Sequence, residues 1–194
     1  MSSVICSEIR DLSDPSVILV PNRGSIISTA YVRYDAKDTF VGGNYSVINN
    51  TNRIPGLRLT INASHPNNII IAQWQISVES AHDLTFSVLR NLSVIDNSLG
   101  ISRSNAPPTN NYYKGMAAVN YDNDFNSTLS NVMLQWIGRS GIVGNVDLDV
   151  CFHYSLSTGT IYLNRTAGSA GADGYETCVS TGVAFELTSQ GGES

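Results

Sequence analysis

Two stretches of the sequence carry side chains whose types and spacing could do chemistry. Residues 122–126 set Asp122, Asp124 and Asn126 at alternate positions, the oxygen spacing that opens a calcium loop. Such a loop then needs a glycine and a bidentate glutamate, but Ser127 and Met133 occupy those places, so the segment reads as a solvated turn. Asp147, Asp149, Cys151 and His153 form the second stretch, all on one face of an alternating strand. The two carboxylates would share a cation there, or simply form the strand's wet side. A histidine beside a cysteine can raise a thiolate, yet no third orienting group and no helix N-terminus accompany this pair. His65 precedes Pro66 in a turn, and His82 precedes Asp83 where a strand begins. The chain lacks a nucleophile elbow, a phosphate-binding glycine loop and a dinucleotide fingerprint. No carboxylates stand at a recognisable glycosidase spacing. The expectation is a protein without catalytic residues, metal or cofactor.

Cys6, Cys151 and Cys178 make an odd set with no C-x-x-C, which fits neither a disulfide framework nor a structural zinc site. They read as free thiols. Residues 1–14 include Glu8, Arg10, Asp11 and Asp14, where an export signal would need a basic start and an apolar run, so no export signal is read. On that reading the six Asn-x-Ser/Thr sequons, at Asn44, Asn49, Asn62, Asn91, Asn126 and Asn164, reflect composition. The longest apolar runs, 17–20 and 69–72, are far below the ~20 residues that cross a bilayer as a helix.

The elements that must position any site follow a period of two. In Ile70, Ala72, Trp74, Ile76 and Val78 every second residue is apolar, and Val146, Leu148, Val150, Phe152 and Tyr154 repeat the pattern. At the C-terminal end Val179, Val183, Phe185 and Leu187 are expected to face the core, opposite Glu176, Cys178, Ser180, Ala184 and Glu186. Weaker strands are expected over 25–34, 57–63, 83–90, 113–121, 129–137 and 160–164, each rich in β-branched or aromatic residues. That makes nine strands. Gly and Asn clusters at 42–44, 66–68, 141–145 and 157–159 separate them, and no window has a helical stripe.

Nine short antiparallel strands with one apolar face each bury those faces best as two packed sheets, an all-β sandwich or jelly roll over residues 24–194. Residues 1–23 read as an extended attachment arm whose anchor is Val17, Ile18, Leu19 and Val20, closed by Pro15 and Pro21. At 194 residues one core suffices. Only 14% of residues are charged, and the net charge of -5 has no basic run to neutralise a phosphate backbone, so nucleic acid is excluded as an expected partner.

Parity leaves Ile71, Leu89, Val132, Leu134 and Trp136 on faces that should be wet, which predicts that sister copies cover them. Trp74 and Trp136 are expected in the core or a subunit seam. The polar segments 96–114 and 164–175 are long enough to be functional loops, with Tyr112, Tyr113, Asn164, Arg165 and Tyr175 as exposed binding residues.

Residues 129–137 (LSNVMLQWI), 160–166 (TIYLNRT), the Gly/Ala/Ser loop, Tyr175 and the run from Val179 to Leu187 resemble the C-terminal sandwich of small virion proteins in tailed phages, cyanophages especially. The resemblance spans residues 57–187 and is most specific over 159–187. It implies a tumour-necrosis-factor-like jelly roll that forms a homotrimer, with a fibre, spike or head-decoration role on the virion after assembly in the host cytoplasm. The implied partners are sister copies, capsid, portal or tail proteins, and a host surface glycan, with no membrane insertion. A capsid cement protein is the near alternative. A lectin-like module that stacks sugars on Tyr112 and Tyr113 is the alternative from another class, and an enzyme is the third.

Overall fold

The computed structural model describes residues 9–10, 18–19, 25–42, 52–91, 117–119, 128–154, 158–169 and 176–189. Twelve strands lie among them: β1 (Ile9–Arg10), β2 (Ile18–Leu19), β3 (Ile26–Tyr34), β4 (Asp38–Gly42), β5 (Leu59–Ala63), β6 (Ile69–Ser80), β7 (Leu84–Arg90), β8 (Ala117–Val119), β9 (Ser130–Arg139), β10 (Gly144–Tyr154), β11 (Gly159–Leu163) and β12 (Ser180–Leu187). Two 3-10 turns, Pro55–Leu57 and Ala167–Ser169, join the strands among the described residues. All nine expected strands are present. β4 was not anticipated, because its five residues offer one inward aromatic, Phe40, and β11 supplies its pairing.

β5, β10, β7 and β8 make a four-stranded antiparallel sheet, and β3, β12, β6, β11, β4 and β9 make a second of six. The inward rows of both form one core around Trp74, Phe86, Phe152 and Leu148. This is the all-β sandwich that alternation predicts. β1 and β2 pair with each other and belong to neither large sheet.

β6 organises the larger sheet. One of its edges pairs with β9 from residue 69 to 78, while the other pairs first with β12 (69–75) and then with β11 (78–80). The change of partner falls at Ser77. Its carbonyl accepts from Asn164 N at 2.8 Å, and its N–H donates to Ser180 Oγ at 3.0 Å. A backbone N–H from Asn164 and a side-chain hydroxyl from Ser180 therefore replace the missing stretch of ladder, so no buried backbone group of Ser77 goes unmet.

β12 corrects the expected parity. Ser180, Gly182, Ala184 and Glu186 face the core, while Val183, Phe185 and Leu187 point outward and stay half-buried. The cause is Trp74, directly across the ladder from Gly182. A Cβ on Gly182 would lie 2.5 Å from Trp74 Cδ1, so the indole leaves room only for small residues on the inward row. Glu186 is tolerated inside because Ser64 N, Ser64 Oγ and Asn68 Nδ2 all donate to its Oε1, at 2.8, 3.1 and 2.6 Å.

Candidate functional site

The outward side of the six-stranded sheet is the surface that β12 creates by this inversion. Hydrogen-bonded register aligns its side chains into cross-strand rows. One row runs Thr29, Phe185, Ile71, Ile137, and the next runs Tyr31, Val183, Gln73, Gln135. Tyr31 is 86% exposed and Met133 66%, while Phe185, Ile71, Ile137 and Val183 are half-buried. Outward residues of β3, β12, β9 and the first half of β6 include Arg33 and Arg139 near opposite corners and no carboxylate. The face thus has an apolar centre, neutral amides beside it, and charge only at its limits.

The five residues expected on wet faces divide. Ile71 lies on this outer face. Leu89, Val132, Leu134 and Trp136 are buried within a single chain and offer a partner no surface, which corrects their assignment. For β9 the strand begins one residue later than expected, and its even-numbered residues pack on the core while Met133, Gln135 and Ile137 point out. Leu89 is covered because both sides of β7 are buried in its second half. Trp74 and Trp136 are both core residues.

The loop assignment is corrected in part. Asn164 is fully buried with φ 60°, a left-handed geometry that asparagine tolerates. Its Nδ2 donates to Tyr34 O at 2.7 Å and Ala36 O at 3.0 Å, and its Oδ1 accepts from Ser180 Oγ at 2.6 Å. Arg165 is half-buried, stacks on Tyr162 with 4.9 Å to the ring centroid, and donates to Thr39 Oγ1 at 2.7 Å. Ala167 N donates to the buried Glu79 carboxylate, which pins the start of this segment. Tyr112, Tyr113 and Tyr175 lie outside the described residues, as do Val17, Val20, Asp122 and Asp124. Ile18 and Leu19 are β2, paired with Leu19 opposite Ile9 and Ile18 opposite Arg10.

The acidic stretch on β10 is not a wet face. Asp149 is buried and its two oxygens accept from Arg58 Nε at 2.8 Å and Nη2 at 3.2 Å, with Arg53 Nη1 3.8 Å away. Asp147 accepts from Thr60 Oγ1 at 2.7 Å and lies 3.5 Å from Arg58 Nη1. The hydrogen bond that Arg58 donates to Asp149 holds its guanidinium above its ordinary pKa; partial burial opposes this, and the charges of Asp149 and Asp147 add to it. Arginines already neutralise the pair that would have shared a cation. Among the described residues no three His, Cys, Asp or Glu side chains gather as a metal site.

Further along the same face, Cys151 lies directly across from Ser87, and Ser87 Oγ is 2.8 Å from His153 Nε2. Sequence reading missed this serine, because only strand pairing brings residue 87 beside 151 and 153. Asp149 sits four residues from His153 on the same strand, about 13 Å at ~3.3 Å per residue, too far to orient its ring. Cys178 is a free, half-buried thiol. No helix among the described residues is long and apolar enough to cross a membrane.

No family model matches this chain, and no curated protein matches it.

Proposed function

We propose that this protein is a non-enzymatic structural subunit that assembles with copies of itself through the outer face of its six-stranded sheet. The proposed assembly is the homotrimeric fibre, spike or head-decoration type of the tailed-phage virion proteins that residues 57–187 resemble. The observation that carries the reading is the inversion of β12, which turns Val183, Phe185 and Leu187 outward beside Ile71, Ile137 and Tyr31. An apolar patch of this kind on a soluble chain is the mark of an interface. Amides and threonines flank it and no carboxylate interrupts it, so a sister copy can approach without burying an unpaired acid. Residues 1–23 would tether the assembly to capsid, portal or tail proteins.

Sedimentation velocity on the purified protein tests the self-association. The expected result is a trimer at micromolar concentration, reduced in size by Phe185→Asp with Ile71→Asp while the far-UV spectrum stays that of a β protein. A wild-type monomer overturns the reading. Immunogold labelling of intact particles tests the virion assignment: no label on particles defeats it without touching self-association, and a symmetric label over the shell supports cement over fibre.

A further inference from the structure

We propose that Ser64, Asn68 and Glu186 form a self-modifying centre, in which the Ser64 hydroxyl attacks the Asn68 side-chain amide, expels ammonia and leaves an ester staple between the two residues. The inference stands on its own geometry and is independent of the self-assembly reading.

Glu186 is the anomaly that leads to it. It is fully buried on an inward row otherwise made of Ser180, Gly182 and Ala184. Its hydrogen bonds all converge on Oε1, and among the described residues Oε2 has no hydrogen-bond partner. An unmet oxygen this deep is costly, and the small residues along the row show that packing does not require an acid there. Buried carboxylates of this kind concentrate where they have chemistry to do.

The groups around Oε1 are those an acyl transfer needs. Ser64 Oγ, the nucleophile, donates to Oε1 at 3.1 Å. Asn68 Nδ2, the leaving group, donates to the same oxygen at 2.6 Å and to Ser64 Oγ at 3.0 Å. An amide C–N bond is about 1.33 Å, so Ser64 Oγ lies within ~4.3 Å of Asn68 Cγ, and only the Ser64 Cα–Cβ bond must rotate to close that gap. Asn68 Oδ1, where negative charge develops, accepts from Ser189 N at 3.1 Å and Ser189 Oγ at 3.4 Å. The Ser189 N–H also fixes the amide's orientation, leaving Nδ2 toward the carboxylate. The backbone of Asn68 is held as well, by donation to His65 O at 3.1 Å and acceptance from Ser140 N at 2.9 Å. Ser64 is the exposed member, which gives ammonia a short way to solvent.

Glu186 Oε1 takes the hydroxyl proton as the Oγ–Cγ bond forms, and returns it to Nδ2 as the Cγ–Nδ2 bond breaks. Amide plus alcohol becomes ester plus ammonia, with no oxidant, metal or co-reactant. Each chain reacts once, and the product closes the β5–β6 connection into a covalent ring.

Mass spectrometry of the purified full chain, folded and then digested with trypsin, tests the staple. The peptide 59–90, bounded by cleavage after Arg58 and Arg90, is expected about 17 Da below its sequence mass, the loss of one ammonia, with no fragment ions from cleavage between residues 64 and 68. Neutral hydroxylamine is expected to open the ester and restore those fragments. Ser64→Ala and Glu186→Gln are expected to give the full sequence mass while the far-UV spectrum stays that of a β protein. An unmodified wild-type peptide overturns the proposal. The same loss with fragments present between 64 and 68, or persisting in Ser64→Ala, means a succinimide at asparagine and also overturns it. A staple that still forms in Glu186→Gln does the same. Should Glu186→Gln fail to fold, Ser64→Ala at its exposed position decides.

Discussion

Ser180 donates its hydroxyl to Asn164 Oδ1 at 2.6 Å, and this pair fills the gap where β6 exchanges β12 for β11. Both residues are fully buried, and Asn164 also holds the β3–β4 connection through Tyr34 O and Ala36 O. A polar network this deep stabilises only while every member is satisfied.

Asn164→Ala is therefore expected to cost roughly 2–4 kcal/mol, because it removes the donor to the Tyr34 and Ala36 carbonyls, strands the buried Ser180 hydroxyl and leaves an alanine at positive φ. Urea denaturation measures it; a loss below about 1 kcal/mol would mean that water replaces the amide.

Gly182→Ala forces a methyl to within 2.5 Å of Trp74 Cδ1, and Trp74 is held in place by its Nε1 donation to Leu57 O at 2.8 Å. Overpacking of this kind is expected to cost about 1–3 kcal/mol and to shift the near-UV circular dichroism of the indole. A folded variant of unchanged stability and spectrum would show that the sheet yields more easily than the contact distance implies.

Arg58→Met leaves the buried Asp149 with Arg53 as its remaining charged neighbour, at 3.8 Å. Breaking a buried pair from one side costs about 3–5 kcal/mol, and the exposure of Arg58 places the expected loss toward or below the lower figure. The folded-state pKa of Arg58 is raised, so its contribution is fully present below the unfolded-state pKa and is lost only as pH climbs through the folded value. The deficit should be the same at about pH 6 and about pH 9 in parallel thermal melts.

Leu134→Ala and Val183→Lys should separate folding from assembly. Leu134 is buried in the core of one chain, so its truncation is expected to cost roughly 2–5 kcal/mol and leave the association state of folded molecules unchanged. Val183 points outward beside Tyr31 and Gln73, so a lysine there should change the melting temperature little and weaken self-association at least tenfold. Sedimentation and calorimetry on the two variants would show the opposite pattern if the even-numbered face of β9 were the interface.

Alternation along the chain by itself determined nine of the strands and their assembly into a sandwich, because a period of two places side chains on opposite faces whatever the strand pairs with. It also determined the core rows of β6 and β10, where the apolar set is large and unbroken. Which side of β12 points inward was decided only by the tertiary structure: the bulk of Trp74 admits Gly182 and excludes a valine, and that contact joins residues far apart in sequence. The same holds for Asn164, whose place in the chain suggests a loop and whose hydrogen bonds come from β3, β12 and the fork in β6. Asp149 and His153 alternate as a wet face should, yet arginines from the chain leading into β5 and a serine from β7 meet them there. Local pattern sets where a side chain points, and only the packing of distant strands sets what it meets.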